Sequence, residues 1–522
     1  MSDTWGTPAP PPGQGQPEIL TNAATGTILA AELPPSRGLG KGKLVAIGAG
    51  VVAVAGIGIG AALAAGALGG GGAQPDSFVP ASAAAYASVD LDPSLGQKVD
   101  ALRFLRKFPS ARSSLGSTDD IRQWFFDQVT KDDPHLSKLS YDRDVKPWIG
   151  DRFAVAAVPS STGGQPNAVV VLQVNDESKA KAGLAKLMSK PDDGVCSVSS
   201  GYAVCAENRA VLNAVRAEAA KHSLAGNSTY RSDVSSVGKR GIAVAWGDLG
   251  KLSSMVPSAA SSPFGGMAGG VGGVTSGRFV ASIRFTGDDV ELVGTTRGGL
   301  TTVKPGPGGT GVETLPAGTV AAIGGSLDPH AIDQAYAKFR SQAQPAGGFD
   351  LAGAMEEQLA SLGIHLPKDL DALLGTKFQI AFGGFGPGGA PQVGLHSNAP
   401  AGPAARVLDT LSSQLSQYGV PFALRHVAAR DGYAVALDER YAKQLASGGR
   451  LGDEAAFKRA VPDAASAQSV GYLDFGNLQK ALRAFGSSDS TDADLKALLA
   501  AGFSVRTGSD GTATVRATLI TR

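Results

Sequence analysis

The feature that most constrains this chain is an internal duplication. Leu91-Asp92-Pro93 returns as Leu327-Asp328-Pro329, and Gly201-Tyr202-Ala203-Val204 recurs unchanged as Gly432-Tyr433-Ala434-Val435. Between them, Trp148-Ile149-Gly150-Asp151-Arg152-Phe153 aligns with Leu373-Leu374-Gly375-Thr376-Lys377-Phe378. Asp248-Leu249-Gly250 then matches Asp474-Phe475-Gly476, and the last strand of each copy ends at an arginine, Arg297 and Arg522. The order is preserved and the separations run from 225 to 236 residues, so two copies of one unit fill the chain beyond residue 68. The copies are expected over 76–300 and 313–522. Between them, 301–312 reads as a linker because it contains Lys304-Pro305-Gly306-Pro307-Gly308-Gly309.

Each copy reads as α+β. In the first, apolar runs with β-branched residues predict strands near 84–90, 152–158, 168–174, 194–198, 202–206, 242–246, 278–286 and 289–296. Short turns join most of these neighbours, so the sheet is expected to be mainly antiparallel, with helices on one face. Helices are expected near 94–107, 119–130, 177–189 and 208–221; in the first, Leu95, Val99 and Leu102 make one apolar stripe. Only the first copy carries the Ser- and Gly-rich insertion from Ser258 to Gly277, which reads as a surface loop.

Ahead of the copies, Leu44 to Leu68 is a run of 25 residues without a charge. At about 1.5 Å per residue a helix of that length exceeds a hydrocarbon core of about 30 Å, so the run predicts a single transmembrane helix. Arg37, Lys41 and Lys43 flank its N-terminal end, and no basic residue follows until Lys98. That bias places the N-terminus in the cytoplasm and the duplicated region outside. A cleaved signal peptide is the rival reading, since Ala65-Gly66-Ala67 has the small-residue form of a cleavage site, but the apolar run is long and 43 residues precede it. Gly56 and Gly60 form a G-x-x-x-G that offers a homodimer contact within the span. Residues 1–43 read as a disordered Pro- and Gly-rich tail, and 69–75 as a Gly-rich linker.

The two cysteines, Cys196 and Cys205, flank Ser200-Gly201. A two-residue turn at that dipeptide sets Cys196 opposite Cys205 as a non-hydrogen-bonded pair, with Cα atoms about 4.5 Å apart, which predicts a cross-strand disulfide. The second copy carries Asp431-Gly432 at the turn, a hairpin signal, and Val427 and Ala436 at the cysteine positions. The repeated Leu-Asp-Pro has a plain cause as well. Asp92 and Asp328 read as N-caps of helices whose first turn begins with proline.

Little in the chain points to chemistry. With 47 basic and 46 acidic side chains, the net charge of +1 gives no footprint for a nucleic acid. No H-E-x-x-H, G-x-S-x-G or P-loop pattern occurs, and the six histidines are dispersed, so no catalytic, metal or cofactor set is assigned. Lys98, Arg103, Arg106, Lys107 and Arg112 cluster after the linker, but their spread around a helix suits a solvated face better than a lipid contact.

The Leu-Asp-Pro motif after a strand, the Gly-Tyr-Ala-Val hairpin and the single N-terminal apolar segment make the chain resemble actinobacterial membrane proteins of the "domain of unknown function 3352" family, over about residues 76–522. The resemblance implies an envelope protein with a Pro- and Gly-rich cytoplasmic tail, and it supplies no catalytic residue. The expectation is a non-enzymatic, single-pass protein that binds a protein partner or an apolar ligand in a concave site between the copies. Two alternatives stand beside it. One is an extracytoplasmic hydrolase with a non-local carboxylate site; the other is signalling through the tail, where Thr4, Thr7, Thr21, Thr25 and Thr27 could be phosphorylated.

Overall fold

The computed structural model describes residues 72–522 apart from 93–94, 110–138 (of which 122, 123 and 126 are described), 162–163, 189–192, 256–275, 299–305, 343–349, 418–423 and 485–492. The tail, the apolar run with Gly56 and Gly60, its basic flank Arg37, Lys41 and Lys43, and most of the insertion lie outside the described residues. Among the described residues no helix is long and apolar enough to cross a membrane.

The first half contains β1 (Ala85–Asp90), α1 (Leu95–Leu105), β2 (Ile149–Val158), β3 (Asn167–Val174), α2 (Glu177–Leu187), β4 (Val195–Ser199) and β5 (Tyr202–Ala206). It continues with α3 (Arg209–Lys221), α4 (Ser228–Ser236), β6 (Ala243–Asp248), α5 (Leu249–Met255), β7 (Arg278–Thr286) and β8 (Asp289–Arg297). The second half contains β9 (Ala321–Ser326), α6 (Ala331–Gln342), α7 (Leu351–Ser361), α8 (Lys368–Leu374), β10 (Lys377–Phe385), β11 (Pro391–Ser397) and α9 (Ala401–Gln417). After these come β12 (Arg425–Ala429), β13 (Gly432–Ala436), α10 (Glu439–Ser447), α11 (Ala455–Ala460), β14 (Ser469–Asp474), α12 (Phe475–Ala484), β15 (Leu498–Thr507) and β16 (Thr512–Thr521). The fold is α+β, built on one large antiparallel sheet of sixteen strands.

Strand order is β4-β5-β3-β2-β1-β6-β7-β8 in the first half and β12-β13-β11-β10-β9-β14-β15-β16 in the second, the same sequence of positions. The halves meet edge to edge, β8 pairing with β16 from Val290↔Leu519 to Arg297↔Thr512. They do not face each other as two separate sheets. On one side of this seam Glu291 is buried and accepts from Arg284 Nε at 2.6 Å and from Arg516. Asp289 receives Arg459 at 2.8 Å and the Thr521 backbone N–H at 3.2 Å, so ionic contacts from both halves fasten the pairing.

Helices do not keep to one face. β3 is a continuous apolar run: Val169 and Val171 pack with α3 and α4, while Val170 and Leu172 pack with α1 and α2. A strand covered on both sides loses the apolar-polar alternation that a one-faced sheet requires, and the Val-Val-Val-Leu run of β3 carries that signature. Helix starts are capped as local chemistry dictates. Asp176, Asn208 and Asp438 accept the N–H three residues on at α2, α3 and α10, and Asp328 accepts that of His330 at 3.0 Å before α6. Asp92 is buried after β1, and the residues it would cap, 93 and 94, lie outside those described.

Parts of both expected linkers belong to the core. In 301–312, Thr310 and Val312 are buried and Gly309 N–H donates to Ala467 O. In 69–75, Tyr202 Oη donates to the Ala73 carbonyl at 2.6 Å. Next to it, buried Asp76 accepts from Arg240 at 2.6 Å and from Tyr230 Oη at 3.0 Å, and Tyr230 stacks edge-on against Trp246 with ring centroids 5.5 Å apart. The buried ion pair thus stands at the first residue of the expected first copy, immediately after the glycine-rich stretch, and fixes where the polypeptide enters the first half.

The hairpins separate two halves that otherwise match. Cys196 and Cys205 are paired across β4 and β5 and joined by a disulfide, with Cα atoms 4.0 Å apart. Ser200 and Gly201 form the turn with φ of 54° and 75°, as a type I′ hairpin needs. In the second half Ala429 pairs with Gly432, so the turn is Arg430-Asp431 rather than the expected Asp431-Gly432, and Val427 lies opposite Ala434 rather than Ala436. Gly432 is drawn into β13, where a Cβ would stand 2.0 Å from Ser397 O; the glycine serves close backbone approach instead of the turn. A slip of one residue reverses every side chain. Tyr202 accordingly packs on the α3 face, whereas Tyr433 packs on the opposite face under α9.

Candidate functional site

A row of directly opposed apolar residues can be followed across the sheet. In the first half it runs Leu172, Phe153, Val89, Ala243 and Ile283, from β3 to β7. It crosses the seam through Leu292 and Ala517, and continues through Phe503, Gly471, Ile323 and Ile380. Each of the eleven strands from β3 to β10 in sheet order contributes one position to the same face, so the row is a product of register, not of any local motif.

The two ends of the row have different surroundings. In the first half α1 lies over β7 and β8, burying Ala101, Phe104 and Leu105, with Phe104 and Phe285 ring centroids 5.5 Å apart. The Gln97 amide fixes the helix further, exchanging hydrogen bonds with the backbone N–H and C=O of Phe285. Counted from the shared Leu-Asp-Pro, Arg340 and Ser341 of α6 stand where α1 has Phe104 and Leu105. Those polar residues cannot seat the helix on apolar strands. Instead α6 turns to α7: Arg340 pairs with Glu356 at 3.2 Å and Tyr336 Oη donates to the same carboxylate. Burial and the adjacent Glu356 push the Tyr336 hydroxyl up to about 12.

The sheet face of the second half is therefore partly bare. Ile323 is 47% exposed, Ile380 42%, Val393 39% and Phe503 37%, high values for large apolar side chains in the middle of a sheet. Over the seam this face forms a hollow of about 490 Å³ whose walls come from both halves: Val290 and Leu292 from β8, and Ile323, Leu473, Phe503 and Leu519 from the other strands. Gly471 makes its floor. A Cβ there would come within 2.1 Å of the Phe503 ring, so the ring lies over the glycine. Among the described residues no charged side chain lines the hollow. What such a lining offers a neighbour is hydrocarbon contact rather than an array of charged donors and acceptors.

A second hollow of similar volume lies on the opposite face, where Glu313, Arg450, Asp453 and Lys458 surround Phe457 and Val461. Its charges are balanced in sign. Among the described residues no group of three or more His, Cys, Asp or Glu side chains is arranged to hold a metal ion.

Among the described residues, none of those singled out from the sequence lines the apolar hollow. Cys196, Cys205, Ser200 and Gly201 are in the hairpin at one outer edge of the sheet, Asp431 and Gly432 in the hairpin at the other, and Asp92 and Asp328 follow β1 and β9. The residues that matter there, Ile323, Phe503 and Gly471, carry no individual signal. The polar Arg340 and Ser341, standing where the first half has Phe104 and Leu105, are the available clue.

Residues 45–204 match the family described as "Protein of unknown function (DUF3352)". The match starts inside the apolar run and ends in β5, and so covers the first part of the first half and not the whole of 76–522. No curated protein matches the chain. No solved structure matches it either. The similarity to the DUF3352 family of proteins of unknown function is thus carried by the segment 45–204.

Proposed function

We propose that this is a single-pass envelope membrane protein whose extracytoplasmic part, two homologous copies fused through one sheet, binds a hydrocarbon chain on the bare face at the seam. The observation that carries the reading is the hollow itself: about 490 Å³, lined mainly by apolar side chains and walled by both halves. That volume is within the range of about 300–1,000 Å³ typical of small-molecule sites. The cross-strand disulfide supports an oxidising compartment, and the basic flank of the apolar run supports an outward-facing C-terminal region.

The dimensions favour a slender ligand over a second copy of the chain. Six strands from β8 to β10 span about 24 Å at roughly 4.8 Å spacing, and a band two to three side chains tall adds about 14 Å, giving roughly 340 Å². A stable protein interface needs about 800 Å² from each partner. The bare band is too small for that, but matches one extended chain lying across the strands.

Native mass spectrometry of the full-length protein, purified from its own membranes, tests the reading. The expected result is a stoichiometric lipid or hydrocarbon adduct that is lost from the Ile323→Asp and Phe503→Asp variants. A clean protein mass for the wild type, or an adduct that survives both substitutions, would overturn it.

A further inference from the structure

The way the chain enters the first half bears on a different surface. Gly72 follows Leu68, the end of the apolar run, by four residues, so the two are at most about 14 Å apart. The entry segment is fastened by Tyr202 at Ala73 and by Tyr230 and Arg240 at Asp76, and α3 packs directly against its helical turn at Pro75–Phe78. Whatever lies where the chain leaves this body also lies beside α3 and α4.

That flank is basic. From Glu207 to Arg240 the sequence holds six basic residues and three acidic ones, and one of the acids, Asp233, is buried against Arg278 at 2.8 Å. Arg209, Arg216, Lys221, Arg231 and Lys239 are all exposed. The corresponding stretch of the second half, Asp438 to Ser466, has five of each sign. The excess therefore belongs only to the half that adjoins the exit, and the duplicated scaffold does not require it.

We infer that the α3–α4 flank rests on anionic phospholipid head groups around the point where the chain enters the bilayer. This rests on the single-pass reading above. Lys and Arg side chains that come within a Debye length, about 8–10 Å, of an anionic surface are drawn to it, and a tether of at most about 14 Å keeps the flank near enough to the bilayer to reach that range. The contact would orient the ectodomain and turn the first half toward the membrane.

The test uses the full-length protein in nanodiscs of phosphatidylcholine alone or with one third phosphatidylglycerol, read by hydrogen exchange. Amides of α3 and α4 should exchange several-fold more slowly in the anionic discs, with α10 and α11 unchanged as the internal control. The difference should vanish at 0.5 M salt and in a Lys221→Glu/Arg231→Glu/Lys239→Glu variant, whose exchange in neutral discs should match the wild type because all three side chains are exposed. Equal exchange in both lipids, or a difference indifferent to charge reversal, overturns the inference while leaving the anchor intact. Protein that washes from the discs in alkaline carbonate refutes the anchor, and this inference with it.

Discussion

Replacing Arg240 by Met tests how the entry segment is held. Asp76 is 4% exposed, and its carboxylate has two partners, the Arg240 guanidinium at 2.6 Å and the Tyr230 hydroxyl at 3.0 Å. Removing the guanidinium leaves a buried charge with one neutral donor, a defect that typically costs about 3–5 kcal/mol. The Arg240 side chain is itself 29% exposed and regains water when unpaired, so the lower end, about 3 kcal/mol, is expected. The second half shows the apolar solution to the same packing problem, with Val312 and Phe457 at the places of Asp76 and Tyr230. An Asp76→Val/Tyr230→Phe/Arg240→Met variant should therefore return to within about 1 kcal/mol of the wild type, because the desolvated charge is gone with its partner. Urea denaturation followed by tryptophan fluorescence suits the measurement, since Trp246 lies against Tyr230. A single variant costing under about 1 kcal/mol, or a triple variant no better than the single, would refute the reasoning.

Three further substitutions probe independent features. Gly183→Ala places a Cβ 2.2 Å from Trp148 Nε1 in a closed core and should cost about 1–3 kcal/mol, whereas Gly96→Ala, with open space around it in α1, should stabilise by up to about 1 kcal/mol; thermal melts that failed to show opposite signs would count against the packing described. Asp144 is held well below the usual carboxylate range, first by Arg143 at 2.9 Å and then by Lys186 at 2.8 Å and the Ser140 N–H. Its contribution is present above the unfolded value of about 3.9 and fades as pH falls through the lower folded value, so Asp144→Asn should be less stable than wild type at pH 7 and converge with it in strong acid. A gap that widened on acidification would contradict this assignment. Replacing Cys196 and Cys205 by Val and Ala opens a loop of only nine residues' separation, so the loss should not exceed about 3 kcal/mol, and chemical denaturation under oxidising conditions measures it.

Most strands of the first half were legible to within one or two residues, because each is a compact apolar run bounded by turn chemistry, although β2 begins at Ile149, three residues before its expected start. β7 over Arg278–Thr286 and β5 over Tyr202–Ala206 coincide with their expected ranges. The disulfide was legible because a two-residue turn fixes register within its own hairpin. The second hairpin was not: its register is decided by Gly432 meeting Ser397 of β11, a contact between segments 35 residues apart. Coverage of both faces was written in the Val169–Leu172 run, and it outweighed the general expectation for antiparallel sheets. The hollow could not be read from either half of the sequence alone. Leu292, Ala517 and Phe503 become neighbours only because β8 pairs with β16, and neither strand announces its partner.

That pairing has a consequence in time. β8 is complete at Arg297, but the strand that covers its edge begins at Thr512. At a synthesis rate of about 5–20 residues per second, β8 waits roughly ten to forty seconds with a nine-residue row of backbone donors and acceptors unpaired. An open edge of that length invites pairing with another nascent chain. The ionised groups that later fasten the seam, Asp289 and Glu291 on β8 with Arg284 beside them, stand along the waiting edge and would disfavour a mismatched partner before Arg459 and Arg516 arrive. The same carboxylates thus guard the half-finished molecule and later lock the finished one.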